Sequence, residues 1–423
     1  MKFFLVLIST VSVAQIISAQ DVTESKIKAK IYGYAAWEVF SDSRKSREAR
    51  DGDLYFYPNN VSLDINGRDV NAVRSFTMLA LSSRLGYKVE GFEAFGAKGM
   101  SMVEADFWGT NQDNINLLRI RHALVKLSWE RTQLMTGMYW HPVIVDEMIP
   151  GNVSFGAGAP FHALNRAPQV RLSYMLTQNI KLTGAAIVNA YHRSAGAYDA
   201  QRNSGKPELF GQISGSFEKS FLFGVSASYK WLRPRIEIAL LAPAKLKTDK
   251  ELGSFYTHAF GLMKVENFTL KLEGVYGQEL SFLNMIGGYG KITGTDGLLS
   301  DYDYTNLNTL SVWFDASYQI NKFNVGFFAG RQSLHGADDN YSSTEYKELG
   351  VVKIPGSATN DDLSHIYRLS PRIFYSVDKL TFGFEYMLTG AVYGKAWDAN
   401  HVVTETADPV VNHRLLFLTK YTF

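Results

Sequence analysis

The sequence predicts an all-β fold: a transmembrane antiparallel β-barrel of about sixteen strands. Three observations lead there. Apolar and polar residues alternate with period two in segment after segment, tight turns alternate with long loops, and no apolar run beyond the N-terminus is long enough for a membrane helix.

The alternation is clearest late in the chain. Leu380, Phe382, Phe384, Tyr386 and Leu388 share one parity, while Thr381, Gly383, Glu385 and Thr389 fill the other. Leu310, Val312, Phe314, Ala316, Tyr318 and Ile320 repeat this against Thr309, Ser311, Asp315, Ser317 and Gln319. Successive side chains of a strand point to opposite faces, so each segment has one oily face and one wet face. A soluble sandwich, propeller or β-helix needs a dry interior, whereas here the second face stays polar in strand after strand.

Short polar turns punctuate the segments at Lys219-Ser220, Glu266-Asn267, Asn321-Lys322 and Asp378-Lys379, with less sharply marked turns near Glu90-Gly91, Glu130-Arg131 and Gln178-Asn179. Long stretches rich in Gly, Asp, Asn and Ser join the other ends, as at 191–206, 281–304, 333–363 and 393–408. Seven tight turns and eight long loops make sixteen strands. An even number of strands with short turns on one side and long loops on the other is the pattern of a bacterial outer-membrane barrel. Closure is a physical necessity, because an open strand edge finds no hydrogen-bond partner in lipid.

Residues 1–19 read as a cleaved signal peptide, with Lys2, the apolar run Phe3 to Val13, and small residues at Ser18 and Ala19. The barrel then occupies 20–423 as one unit, with no linker-like break. Cysteine is absent, which excludes disulfides, thiolate metal sites and a lipid-anchored N-terminal Cys. Lys and Arg (43) nearly balance Asp and Glu (41), so no whole-protein field exists for nucleic acid to exploit. No histidine pair has metal-ligand spacing, and no cofactor motif appears. The acidic clusters Asp301/Asp303, Asp338/Asp339 and Asp361/Asp362 read as solvated loop charge.

The final segment, Leu415, Phe417, Thr419, Tyr421 and Phe423, ends the chain on an aromatic residue. Tyr421-Thr422-Phe423 resembles the terminal signal by which outer-membrane barrels are recognised for insertion. With the sixteen segments, the whole of 20–423 resembles the trimeric general porins. The stretches Leu118 to Val125, Leu134 to Trp140, and Arg166-Ala167-Pro168-Gln169-Val170-Arg171 are most similar to the DcaP-like branch. A periplasmic coiled coil, present in some members of that branch, has no room between Gln20 and Ile27.

Residues 141–166, between the fifth and sixth segments, carry Val143, Ile144, Val145, Met148, Phe155 and Phe161 beside several Gly and Pro. A loop facing only solvent has no use for so many apolar groups. The resemblance implies that this third extracellular loop folds inward and narrows a pore. Its acidic pair, Asp146 and Glu147, sits among apolar neighbours, which is costly unless water or a cation is near.

With the apolar parity facing lipid, Arg74 and Arg84 of the second segment point into the bore, as do Arg119 and Arg121 of the fourth. Arg171 of the sixth, Arg368 and Arg372 of the fourteenth and Arg414 of the sixteenth join them. The expectation is a constriction with arginines along one wall and Asp146 and Glu147 across from it, a transverse field that orients dipolar solutes and favours anions. Inward Lys98, Lys181 and Lys271 compete with Glu104, Asp106, Glu273, Asp315 and Glu385. The blander alternative is that these charges pair with one another and keep the interior wet.

On the outward face, Ala29, Gly33, Ala35, Ala97, Gly99, Ser101 and Ala105 are small, which suits close approach of another barrel and predicts a homotrimer. Tyr32, Tyr87, Tyr174, Tyr229, Tyr318, Tyr375 and Tyr421 suit headgroup-level girdles in outer-membrane lipid. The function expected is passive diffusion of small hydrophilic solutes, anions favoured, without reaction chemistry. Two alternatives remain: a barrel occluded by loop three with a structural or complex-associated role, and an outer-membrane phospholipase. The latter requires a Ser and His on the lipid face; His122 and His413 have that parity, and neither has a serine on the same face of its own strand with an obvious third partner.

Overall fold

A computed structural model describes residues 27–109, 112–218, 220–240, 243–292, 303–346 and 363–423. The expected signal peptide lies outside the described residues, as do Lys219 of one turn, the loop stretches 293–302 and 347–362, and with them Asp301, Asp361 and Asp362.

Sixteen antiparallel strands form one closed sheet. They are β1 (Lys28–Asp42), β2 (Ser75–Leu79, resumed at Arg84–Ala94), β3 (Ala97–Asp106), β4 (Arg119–Ser128), β5 (Thr132–Trp140), β6 (Arg166–Met175), β7 (Ile180–Ile187) and β8 (Glu208–Phe217). They continue as β9 (Phe221–Leu232), β10 (Leu252–Val265), β11 (Phe268–Gln278), β12 (Tyr304–Ile320), β13 (Phe323–Ala337), β14 (Leu363–Val377), β15 (Leu380–Trp397) and β16 (Val410–Thr422). Each strand pairs with its sequence neighbours, and β1 pairs with β16 from Tyr34↔Thr422 to Asp42↔Arg414, so the sheet has no free edge. Phe423 donates its N–H to the Gly33 carbonyl, which ties the terminal aromatic residue into this seam.

The outward parity is apolar as the alternation requires: Val103, Leu172, Phe223, Leu272, Val312 and Phe384 are all exposed. Tyr87, Tyr174, Tyr229, Tyr318 and Tyr421 are exposed with them. Tyr32 departs from that set. Its ring lies over Gly86, and its hydroxyl donates to Glu104 Oε2 at 3.2 Å.

Three irregularities in β2 to β4 alter the expected register. The turn expected at Glu90-Gly91 falls instead at Phe95-Gly96, where both residues have positive φ, and Gly91 sits in a bulge between the pairs Glu90↔Met100 and Phe92↔Gly99. Strand β2 breaks at 80–83, where the Ser83 hydroxyl stands in for missing ladder bonds, accepting the Ala36 N–H at 3.0 Å and donating to the Ala36 carbonyl at 3.2 Å, while Ser82 Oγ donates to Glu38 Oε1 at 3.0 Å. In β4 the pairs Glu104↔His122 and Ala105↔Ile120 leave Arg121 as the extra residue of a bulge. Arg121 and His122 therefore both turn inward. The lipid-facing parity expected of His122 is overturned, and its ring packs instead on Tyr139 at 4.6 Å and Trp140 at 5.5 Å. His413 keeps its outward parity, exposed beside the Tyr386 hydroxyl at 2.7 Å.

Three of the small outward residues are covered: Ala97 is buried, a Cβ at Gly99 would meet the Phe92 ring at 2.0 Å, and one at Gly33 would meet Phe423 Cζ at 3.0 Å. Gly137 of β5 has a different reason to be glycine. Its φ is +123°, and a Cβ there would fall 2.2 Å from the Ala123 carbonyl of β4. Gly137→Ala should therefore weaken the β4 to β5 ladder by about 1–3 kcal/mol. Thermal unfolding followed by circular dichroism in detergent checks this, and an unchanged midpoint contradicts the strain assigned to that position.

Candidate permeation pathway

The interior is built by the inward parity of the wall and by loops that dock on it. Residues 43–58 after β1 form a hairpin (Ser46–Ala49 with Leu54–Pro58) whose second strand is wholly buried. Residues 141–165, between β5 and β6, run against inward-facing side chains of β10 to β15. Gly151 N–H donates to Asp315 Oδ2 at 2.9 Å, Ser154 N–H to Glu385 Oε2 at 2.8 Å, and Ser311 Oγ to the Phe161 carbonyl at 2.8 Å. His162 Nδ1 lies 3.0 Å from Glu273 Oε1. A third segment after β11 joins them, with Leu164 N–H donating to the Leu283 carbonyl at 2.9 Å.

Where these loops meet, the interior is apolar. Leu54 and Phe56 of the first loop, Met148 and Phe161 of the third, and Trp313 and Phe328 of the wall belong to one buried cluster. The inward face is thus not wet throughout. The wet part lies toward the tight turns, where a cavity of ≈ 380 Å³ is lined by Gly151, Asn152, Lys264, Lys271, Asp315 and Arg372, among others.

Three of the expected arginines serve this docking. Arg368 is buried and donates to the Ala159 carbonyl of the third loop at 2.7 Å, to the Phe56 carbonyl of the first at 2.7 Å, and to Thr389 Oγ1 at 2.9 Å. Arg372 grips Asp315 with two bonds of 2.6 and 3.1 Å, and that same carboxylate holds Gly151. Arg414 grips Asp42 with two bonds of 2.8 and 2.7 Å and donates to the Gly52 carbonyl at 2.7 Å. These are charge-assisted clamps, with little of the guanidinium left for a solute.

On β3 and β4, Arg119 makes two bonds to Asp106 at 2.7 and 3.1 Å, and Arg121 bridges Glu104 at 2.8 Å and Asp106 at 2.9 Å. Arg84 Nε lies 3.5 Å from Glu104. Arg74 stands apart from the set, exposed one residue ahead of β2. Arg171 donates to the Trp140 carbonyl at 2.6 Å and to Gln169 Oε1 at 2.9 Å and remains half-buried.

Asp146 and Glu147 lie on a one-turn helix of the third loop, Asp146–Met148, and both are exposed. Asp146 Oδ2 accepts from the Tyr139 hydroxyl at 2.8 Å. Partial desolvation pushes its carboxyl up from the usual range against the pull of that hydroxyl, Arg171 and Lys126. Lys271 of β11 donates to the neighbouring Ile149 carbonyl at 2.5 Å. The acids therefore sit between cations of two walls, Lys126 and Arg171 on one side and Lys271 on the other, rather than across from an arginine row.

Lys126 is the residue that simple parity misses. Counting from Arg119 and Arg121 places it among lipid-facing positions, but the bulge at Arg121 reverses the count and turns it into the bore. A lysine assigned to the lipid face is itself the signal, because such a charge is costly at membrane depth. Water reaches a set of inward cations on this side, Lys88, Lys126, Arg171, Lys181, Lys264 and Lys271, against Glu90, Asp146 and Glu147.

No family model matches the chain, and no curated protein matches it in sequence. Solved structures do. The outer membrane channel DcaP of Acinetobacter baumannii superposes with a TM-score of 0.65 at 14% identity, over 95% of this chain and 99% of that one. The fold is that of the outer-membrane porins. The trimer form of OmpT from Vibrio cholerae gives 0.53 at 10% identity over 94% and 99% of the two chains, and an anion-selective porin from Comamonas acidovorans gives 0.53 at 8% over 94% and 100%. At these identities the likeness extends to the fold of the porins and not to their individual side chains.

Within this barrel, Arg368→Met should leave the Ala159 and Phe56 carbonyls without their donor in a buried place, at a cost of about 1.5–3 kcal/mol. Both loops should then become accessible to protease in folded protein. Resistance equal to the parent would remove Arg368 from its role as clamp.

Proposed function

We propose that the chain is a passive outer-membrane channel for small hydrophilic solutes, with anions favoured, exported through a cleaved signal peptide. The observation that carries this reading is the excess of water-reached inward cations, Lys88, Lys126, Arg171, Lys181, Lys264 and Lys271, on the wet side of the third loop. Fixed positive charge along a narrow aqueous path raises the local concentration of anions and lowers that of cations. Arg171 and Lys126 on one side and Lys271 on the other flank Asp146 and Glu147, which gives the narrow region both signs of charge. Zwitterionic solutes gain orientation there.

Ala29, Ala35, Ser101 and Ala105 remain as small positions on the outer face of β1 to β3, where a second barrel can approach closely. The proposed assembly is a homotrimer in outer-membrane lipid, and a solved relative by fold is described as a trimer. Isolation as a single barrel after mild detergent extraction would count against it.

Reversal potentials across a salt gradient in planar bilayers test the channel reading. The parent should be anion-preferring, and the double change Lys126→Gln with Lys271→Gln should move the potential toward cations. Neutralising Arg372 or Arg414, which are clamped to Asp315 and Asp42, should lower stability more than it changes selectivity. A selectivity indifferent to Lys126 and Lys271 removes the proposed charge path.

A second reading has an observation in its favour: the buried cluster formed by Leu54, Phe56, Met148, Phe161, Trp313 and Phe328 fills part of the interior. It assigns the chain a structural or complex-associated role with an occluded bore. Electrical silence of correctly folded protein selects it over the channel.

A further inference from the structure

The rim above β7 to β10 carries a cationic surface that conduction does not use. Residues 188–207, between β7 and β8, and residues 233–251, between β9 and β10, hold eight Lys and Arg against four Asp and Glu. The stretch 398–409 before β16 is the reverse, with three acids and no Lys or Arg. The two cationic loops form one unit. Arg233 N–H donates to the Ala200 carbonyl at 2.8 Å, the Arg233 guanidinium donates to the Thr248 carbonyl, and Lys206 meets Glu251 at 2.6 Å.

Parity brings this surface to the outside of the barrel. Trp231 shares the outward parity of Phe223, Val225 and Tyr229, and its ring lies 4.7 Å from that of Tyr229. Lys206 Nζ stands 5.5 Å from the centre of the same Trp231 ring. Outward Leu209, opposite Tyr229 in the ladder, is exposed. Aromatic rings with a cation at this level mark the headgroup zone of a bilayer. Long loops of such barrels face away from the cell, so the zone belongs to the outer leaflet.

A cavity of ≈ 340 Å³ lies at the ends of β7 and β8, lined by Val188, Arg193, Tyr198, Arg202, Lys206 and Pro207, among others. The second loop adds a hairpin, Glu237–Ala239 with Lys245–Lys247, on which Ile236, Leu240 and Leu246 are exposed beside Lys245 and Lys247. Two of the cations are loosely engaged. Arg202 reaches Asp199 at 3.9 Å with its side chain 82% exposed, and Lys247 meets Asp249 at 3.2 Å with its side chain 75% exposed. Surface pairs of this kind contribute little and exchange readily for the stronger contact of a phosphate.

We propose that this rim is a binding site for a phosphorylated glycolipid of the outer leaflet, with phosphate groups met by Arg202, Lys206 and Lys247. Its acyl chains lie along the outward apolar residues of β8 and β9, Leu209, Ile213, Phe223 and Val225. A free oxyanion needs the cations alone. The exposed Ile236, Leu240 and Leu246, and the Trp231 ring under Lys206, supply the apolar half that an amphiphile uses. The site rests on the outer-membrane placement of the barrel and is independent of conduction.

Native mass spectrometry of the detergent-solubilised protein tests this by titration with bis-phosphorylated lipid A, with its dephosphorylated form and with inorganic phosphate. The parent should retain lipid A at concentrations about tenfold below those needed for the dephosphorylated form. Arg202→Gln with Lys206→Gln and Lys247→Gln should lose that advantage, while Lys322→Gln with Lys379→Gln, exposed on tight turns at the other end, should bind as the parent does. Should the triple variant fail to fold, Arg202→Gln alone, at an exposed side chain, should weaken lipid A retention several-fold. Equal retention of both lipids, a rim variant that binds as the parent, or inorganic phosphate that displaces lipid A at equal concentration overturns the assignment. A barrel that retains lipid A yet is electrically silent supports the site and fails only the channel reading.

Discussion

Every feature of this protein follows from one constraint: a strand in hydrocarbon must find a partner for each backbone N–H and C=O. The chain meets it by pairing β1 with β16, closing the ladder with the terminal Phe423 bonded to Gly33. Once closed, the sheet has an outside and an inside, and alternation sends apolar side chains to one and polar side chains to the other. The inside then contains charges and hydroxyls that need partners of their own.

The loops supply many of those partners. Inward Arg368 and Arg414, with Glu273, Glu385 and the Asp315 that Arg372 holds, bind backbone and side chains of the first and third loops, and the loops in turn bury Leu54, Phe56 and Phe161 against Trp313 and Phe328. Buried ion pairs of this kind fix geometry more than they add stability, because desolvation consumes much of the Coulomb gain. The result is a specified arrangement of loops inside the barrel. What remains open to water is a narrower region whose fixed charge is mainly lysine.

The strand framework was readable from local pattern, and the site was readable only in part. Sixteen segments, the placement of Arg171, Arg368, Arg372 and Arg414 on the sixth, fourteenth and sixteenth strands, and the apolar content of 141–166 were all visible, because each depends on residues a few positions apart. The turn near Glu90, the inward turn of His122 and the role of Lys126 were not, because a bulge adds one residue without a distinctive local sequence and reverses every parity beyond it. Arg368, Arg372 and Arg414 lie on inward positions while Arg74 does not, and the task of these three as clamps depends on carbonyls and carboxylates far along the chain.

The sequence alone determined the division between an oily skin and a polar inner face, since period two is a local property that backbone geometry converts directly into two faces. The tertiary structure decided which inner charges are spent on loops and which meet water. Arg368 reaches Ala159 across 209 positions of sequence and Phe56 across 312. Partnerships at that separation exist only after closure brings the walls together, and no local pattern encodes them.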